Sequence, residues 1–266
     1  MTDNRNQRNV TVKHRDDKYA ERYRTDIWLE ESEHSNPFIE TQSYCHGYRF
    51  EDLVANTSYV DMLYLMLKGE LPTDQQSVLL NKLLVAFSHP GVRNDAVRAS
   101  ILAGVGKTVP QNVLTIALLV YGGARTGAGE VTTMMRFYAK NRRKSVDDVL
   151  AAHPEPIILG KYYGEADVMA ANLCEWLLGD DEQTPHLHWA KALAAAARQG
   201  GSNAGLTRPS VAAALFCDLG LMPKYGVALL QLMAAPGLLA QGFEHANKPA
   251  TVLPFVPDDD YELKAE

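Results

Sequence analysis

The residues Val113-Leu114-Thr115-Ile116-Ala117-Leu118-Leu119-Val120-Tyr121, followed by Gly122-Gly123-Ala124-Arg125-Thr126-Gly127-Ala128-Gly129-Glu130, decide how the remainder is read. An apolar run stops at a joint of small residues that carries one cation, Arg125. From Glu130 to Lys140 the chain is polar on one side and apolar on the other, as a surface helix is. A buried helix, a glycine-rich joint and an amphipathic helix follow in order. Such a joint lets the backbone come close to something, and the helix N-terminus beyond it favours an anion.

Two nucleotide-binding patterns fail here. The dinucleotide fingerprint needs three spaced glycines after a strand. Gly127 and Gly129 supply two, and the third position falls on Thr132. Gly106-Lys107-Thr108 has the ending of a phosphate loop, but Ile101 stands where its first glycine belongs. The glycines are therefore read as turns and close helix contacts.

Working outward, nearly every segment has helical period. Ser58 to Lys68 is apolar almost all round and is closed by Gly69 and Pro72. Thr73-Asp74-Gln75-Gln76 is a capping box that opens a helix reaching about Phe87. Helices are predicted over 95–104, 111–121 and 168–179, with Ser145 capping a short one that ends near His153. Pro185 and Pro209 sit in first turns, where a missing N–H does no harm, and open helices to Gln199 and Leu219. Helices are also predicted over Lys224 to Ala235 and Gly237 to Ala246, on either side of Pro236. The longest apolar region, Val211 to Leu239, is broken by Asp218, Pro223, Lys224 and Pro236 and is read as a pair of buried helices, not a membrane span. Strand alternation is hard to find, so the predicted class is all-α, with ten to twelve helices.

Composition narrows the function. The chain has 266 residues, 46% of them hydrophobic, enough for one large domain or two lobes. A net charge of -6 argues against nucleic acid as the main partner. Residues 1–25 differ: Arg5, Arg8, Lys13 and Arg15 lie among acids and amides with few apolar residues. They are read as a flexible basic and polar arm. No signal peptide is read near Met1, and Cys45, Cys174 and Cys217 are widely spaced; both point to a reduced, cytoplasmic protein. His186 and His188 have no partner cluster, so no metal site is expected.

Gly47-Tyr48-Arg49-Phe50-Glu51-Asp52-Leu53, then a buried helix, then Gly69-Glu70-Leu71-Pro72-Thr73, resembles a pattern of the citrate synthase and citryl-CoA lyase superfamily. There it reads R-G-Y-D-I-E-D-L, a helix, then G-E-L-P-T. Further likenesses keep the order. Gly122 to Glu130 is similar to G-P-L-H-G-G-A-N-E, and Ile158 to Gly164 stands where the family has G-F-G-H-R-V-Y. Asp218-Leu219-Gly220 falls in register after N-V-D, and Pro236 to Ala240 resembles P-G-W-x-A. The likeness covers about residues 26–250 and places the chain among the short, lyase-like members.

The resemblance implies a two-lobed helical fold and a homodimer. Residues 26–126 and 210–266 would form the large domain and 127–209 the small one. It also implies a cleft binding an acyl-CoA thioester and an oxo- or polycarboxylic acid, with C–C bond formation or cleavage as the chemistry. No cofactor beyond a CoA thioester as substrate is implied. Carried over residue by residue, the standard machinery is absent. The loop histidine falls on Arg125, the second histidine on Lys161, and the aspartate on Pro209 or within Asn203-Ala204-Gly205. The D-P-R segment appears as Asp167-Val168-Met169, without its arginine. Arginine is no neutral base and proline has no proton to exchange, so standard citrate synthase activity is not expected.

A rebuilt site is expected instead. Arg125, Lys161 and Glu130 are its candidate catalytic residues. His89, Arg125, Tyr162, Tyr163, Arg208 and Asn203 are its candidates for binding a carboxylate or acyl-CoA. Two functions stay open: an acyltransferase or lyase of altered specificity, or a catalytically inactive member acting as a small-acid sensor or assembly partner.

Overall fold

The computed structural model describes residues 22–254 and 256–264; residues 1–21 of the polar arm lie outside the described residues. Eleven α-helices dominate the described residues, with five short strands. The all-α expectation holds. Two compact units separate at Thr57 and Ser58.

The first unit contains a meander that the sequence did not disclose. Strand β1 (Trp28–Glu33) pairs antiparallel with β2 (Asn36–Cys45), and β2 with β3 (Tyr48–Arg49). His46 and Gly47 form the β2–β3 turn with φ of 48° and 86°, both in the left-handed region that a two-residue hairpin needs. Helix α1 (Phe50–Asn56) follows, and the Phe50 ring meets Trp28 edge-on at 5.0 Å.

The second unit starts with well-marked helices. Ser58 caps α2 (Tyr59–Lys68), which stops at Gly69 in the left-handed conformation. Thr73 and Gln76 close the capping box of α3 (Asp74–Ala86). Next come α4 (Asp95–Val105), α5 (Pro110–Tyr121), α6 (Val131–Asn141) and α7 (Val146–Ala152). Strand β4 (Leu159–Gly160) precedes α8 (Val168–Leu177) and α9 (Pro185–Gln199). Strand β5 (Gly205–Leu206) leads into α10 (Arg208–Asp218), and α11 (Gly226–Ala246) is the last α-helix.

Helix α10 is the axis of the core. Ser210 to Phe216 are all buried, seven residues in succession, so the helix has no solvent face. Helices α6, α8, α9 and α11 surround it. Tyr138 of α6 is fully buried against it and donates to the Ser210 carbonyl at 3.2 Å. Asp218, with its side chain wholly buried, accepts from the backbone N–H groups of His186 and Leu187 at 2.7 and 3.3 Å and pairs with His186 Nδ1 at 2.7 Å. One carboxylate thus satisfies two open donors at the start of α9. Among the described residues no group of three His, Cys, Asp or Glu is placed to hold a metal.

Helices α4, α5 and α11 pack together, and α4 meets α11 through glycine. A Cβ on Gly104 would run into the Gly242 carbonyl oxygen, and one on Gly242 into the Val113 side chain. Pro236 did not divide the C-terminal segment as predicted: α11 runs through it. Next to the proline, the Gly237 N–H donates to the Ser88 carbonyl at 2.9 Å, so the α3–α4 loop takes up a backbone donor there. By length and composition the segment Pro223–Ala246 is the one described helix able to cross a membrane. Its residues Leu230, Met233, Ala234 and Leu238 are buried in the core cluster.

Candidate functional site

The glycine joint is built for closeness to itself. A Cβ on Gly127 would overlap the Tyr121 carbonyl oxygen, and one on Gly129 would come within 2.7 Å of the Gly122 oxygen. The backbone folds back through Ala128 N–H to Tyr121 O at 2.7 Å and Gly129 N–H to Gly123 O at 3.2 Å. Asn94 ties the joint to α4: its Nδ2 donates to Thr126 O at 2.7 Å while its Oδ1 caps the helix at Ala96 N–H. The result is a fixed loop that exposes Arg125.

Two other loops are set beside each other by a ladder. Leu159 pairs with Leu206 and Gly160 with Gly205, antiparallel, so 159–167 lies along 203–208. Beyond β4, Tyr162 bridges to Glu165 over a turn at Tyr163 and Gly164, with φ of 53° and 96°. Beyond β5, Arg208 reaches back. Its Nε donates to Asp167 Oδ2 at 2.8 Å, Nη2 to Asp167 Oδ1 at 3.3 Å, and Nη1 to the Pro90 carbonyl at 3.2 Å. The guanidinium also stands 5.3 Å from the Tyr162 ring centroid. Asp167 uses the same Oδ1 to cap α8 at Met169 N–H.

These loops enclose a cavity of about 720 Å³. Four basic side chains line it, Lys82, Arg125, Lys161 and Arg208, against two acidic ones, Glu130 and Asp167. Asp167 is consumed by Arg208, whereas Arg125 and Lys161 stand outside every ion pair among the described residues. Glu130 heads α6 without bonding its own helix terminus. Tyr121 also lines the cavity; burial pushes its hydroxyl up to about 12, although Arg208 pulls the other way. It is therefore a hydrogen-bond donor at any working pH. Burial likewise raises Tyr162, again opposed by Arg208.

Six of the sequence candidates meet in this cavity: His89, Arg125, Glu130, Lys161, Tyr162 and Arg208. Tyr163 and Asn203 do not line it. Tyr163 sits at a turn tip, 69% exposed with its ring edge-on to Tyr162, and Asn203 is exposed ahead of β5. His89 lines the wall with both nitrogens engaged. Nδ1 accepts from Gly91 N–H at 2.8 Å, which puts the neutral ring's proton on Nε2, 3.4 Å from Gln241 Oε1. His245 bonds within its own helix, to the Gln241 carbonyl. Sequence reasoning missed Asn94, Tyr121 and the Asp167–Arg208 pair. Only Asn94 had a local signal, an amide directly before the first residues of a helix.

The helical core wrapped on one buried axial helix, with loops after α5, β4 and β5 meeting at one cavity, has a fold shared by solved citryl-CoA lyase and citrate synthase structures. Citryl-CoA lyase from Hydrogenobacter thermophilus superposes with a TM-score of 0.74 at 24% identity over 92% of this chain and 95% of that one. ATP citrate lyase from Methanothrix soehngenii, in complex with citrate and coenzyme A, gives 0.66 at 14% identity over 94% of this chain and 44% of its own. Citrate synthase from Thermotoga maritima gives 0.60 at 16% identity over 79% and 60%. No family model and no curated protein sequence matches. At these identities the likeness establishes the fold.

Proposed function

We propose that this chain is a C–C bond-forming or -cleaving acyl-transfer enzyme acting on a CoA thioester and a carboxylic acid, with a site that differs from that of citrate synthase. One observation carries this reading. Arg125 and Lys161, which fall where the resembled patterns have their two histidines, line one cavity with Pro209, one of the two places where the aspartate of the pattern falls. Convergence of three positions spread over 85 residues of chain is what a shared site with exchanged residues produces.

The chemistry follows from what these groups can do. Glu130 is the carboxylate not tied to a cation, and takes the proton α to the thioester carbonyl. Lys161 and Arg125 oppose the negative charge that develops on the enolate oxygen, and Tyr121 donates to an oxygen of the bound acid. Arg208, held by Asp167, keeps the loops after β4 and β5 together around the ligand. We further propose a homodimer in a reduced cytoplasmic setting, with residues 127–209 moving as a small lobe.

A second reading is binding without turnover, as a small-acid sensor or assembly partner. It is favoured by the commitment of Asp167 to Arg208 and to the α8 cap, which leaves Glu130 as the single uncommitted carboxylate in the cavity. One experiment separates the two. The purified chain is incubated with citryl-CoA, or with acetyl-CoA and oxo-acids, while turnover (acetyl-CoA and oxo-acid formation from the first, thiol release from the second) and thermal stabilisation are followed together. Turnover abolished by Glu130→Gln supports the enzyme. Stabilisation by acids with no turnover of any thioester supports the sensor. Silence in both sinks the proposal.

A further inference from the structure

We propose that the acid bound here is amphipathic, a carboxylate on an aliphatic or aromatic body, and not a polycarboxylate such as citrate. This rests on reading the cavity as the substrate site and adds the class of acid it takes. The observation is a second face of the same cavity. Met169, Leu173, Trp176 and Leu177 line it at positions i, i+4, i+7 and i+8 of α8, one stripe of that helix. Val85 and Phe87, at the end of α3, line it as well.

Leu173, Leu177 and Phe87 are 5–6% exposed and form an apolar floor continuous with the core. Val85, Met169 and Trp176 are 69%, 42% and 63% exposed, large apolar groups turned to solvent in a concave site. The stripe has a direction. Helix α8 is capped by Asp167, which Arg208 grips, so a polar ion pair stands at the N-terminus of the stripe. From Met169 to Leu177 the stripe extends about 12 Å at 1.5 Å per residue. A ligand whose carboxylate meets Arg125 or Lys161 finds hydrocarbon surface for the rest of its length. A tricarboxylate would put charge on it.

The test is calorimetric titration of the full chain with straight-chain monocarboxylates from propanoate to octanoate, and with 3-phenylpropanoate, citrate and oxaloacetate. Affinity is expected to rise about fourfold per methylene until the stripe is covered, equivalent to about 0.8 kcal/mol each. Trp176→Ser, at an exposed position, should flatten the series, while Lys161→Gln should weaken every acid alike. A flat series, tighter binding of citrate than of octanoate, or no binding of any acid overturns the inference. So does a Trp176→Ser variant that dissociates a dimer in light scattering and leaves acid binding unchanged, because a second copy would then cover the stripe. The series is read without turnover. A sloped series with no thioester turned over removes the enzyme and keeps the amphipathic acid; conversion of citryl-CoA to acetyl-CoA and oxo-acid with a flat series does the reverse.

Discussion

Asp167 holds Arg208 by two hydrogen bonds, 2.8 and 3.3 Å, with the carboxylate that also caps helix α8. The Asp167 side chain is 9% exposed and that of Arg208 32%, so the pair is largely withdrawn from water. Its effect is mechanical: through Arg208 the start of α8 is fastened to the start of α10 and to the carbonyl of Pro90.

Removing one partner should therefore cost more than removing a surface ion pair. Asp167→Ala loses a helix cap, about 1 kcal/mol, and leaves a half-buried guanidinium unpaired, which brings the loss to roughly 2–4 kcal/mol. Urea denaturation measures it. Arg208→Lys keeps the charge but not the paired geometry and should fall between the variant and the parent. A loss below about 0.5 kcal/mol for Asp167→Ala would mean that the pair holds nothing.

The glycine joint yields a sharper structural expectation. Gly127→Ala places a methyl group on the Tyr121 carbonyl oxygen, which is backbone and cannot swing aside. About 3 kcal/mol of destabilisation is expected, visible as a lower thermal midpoint. Gly47→Ala has open space for its methyl group but keeps a φ of 86°. Its cost, about 1 kcal/mol, is conformational only. Equal effects of the two substitutions would refute the distinction between crowding and backbone strain.

What the sequence disclosed depended on how local the cause was. The limits of α2, α3 and α9 were readable because Ser58, Gly69, Thr73 and Pro185 act on their own neighbours. The meander over 28–49 escaped because β1 is exposed along nearly its whole length and β2 along half of its own, so no sustained apolar alternation marks them. Pro236 misled because a proline's local effect was overridden by tertiary contacts, Gly237 with Ser88 among them. In the site, Arg125, Lys161 and Arg208 stood out as cations in glycine-rich loops. The Asp167 to Arg208 link joins residues 41 apart, brought together by tertiary structure that includes the β4–β5 ladder of two residues each. Tyr163 and Asn203 shared loop composition with the cavity residues, but composition does not say which side of a turn a side chain occupies.

The thiols should be inert in the native state. Burial pushes Cys174 up to about 11 and Cys217 up to about 12, and Cys217 donates to the Met135 carbonyl at 3.6 Å. Burial raises Cys45 as well. Since the thiolate is the reactive form, a disulfide reagent at pH 8 should modify none of them on the timescale of unfolded-chain labelling. Rapid release from a native thiol would contradict the packing around it.

Asp61 sets a pH dependence of stability in the acid range. Burial raises its pKa, but hydrogen bonds from Ser77 at 2.5 Å and Ser58 at 2.7 Å outweigh that, and the net shift is downward from 3.8. A carboxylate lowered on folding stabilises the protein above its unfolded pKa, and the gain disappears as pH falls through the folded value. Asp61→Asn should therefore reduce stability at neutral pH and leave a shallower decline below about pH 4 than the parent shows. Parallel acid-denaturation curves for the two proteins would exclude Asp61 as a source.

Tyr121 connects the fold to the proposed chemistry, because it ends the apolar helix α5 and lines the cavity. With its hydroxyl raised to about 12, it cannot act as a base near neutrality, and its contribution is a donated hydrogen bond. Tyr121→Phe keeps the ring that fills the core and removes that donor alone. If the hydroxyl meets an oxygen of the bound acid, affinity should drop about tenfold, near 1.4 kcal/mol, for every carboxylate tested. The change should be constant from pH 6 to 9, since no proton leaves the residue in that interval. Folding stability should fall far less than affinity, for the ring remains. A loss of stability with unchanged affinity would instead assign the hydroxyl to the packing of the joint, and the donor to the acid would have to be sought among Arg125, Lys161 and the backbone of residues 124–127.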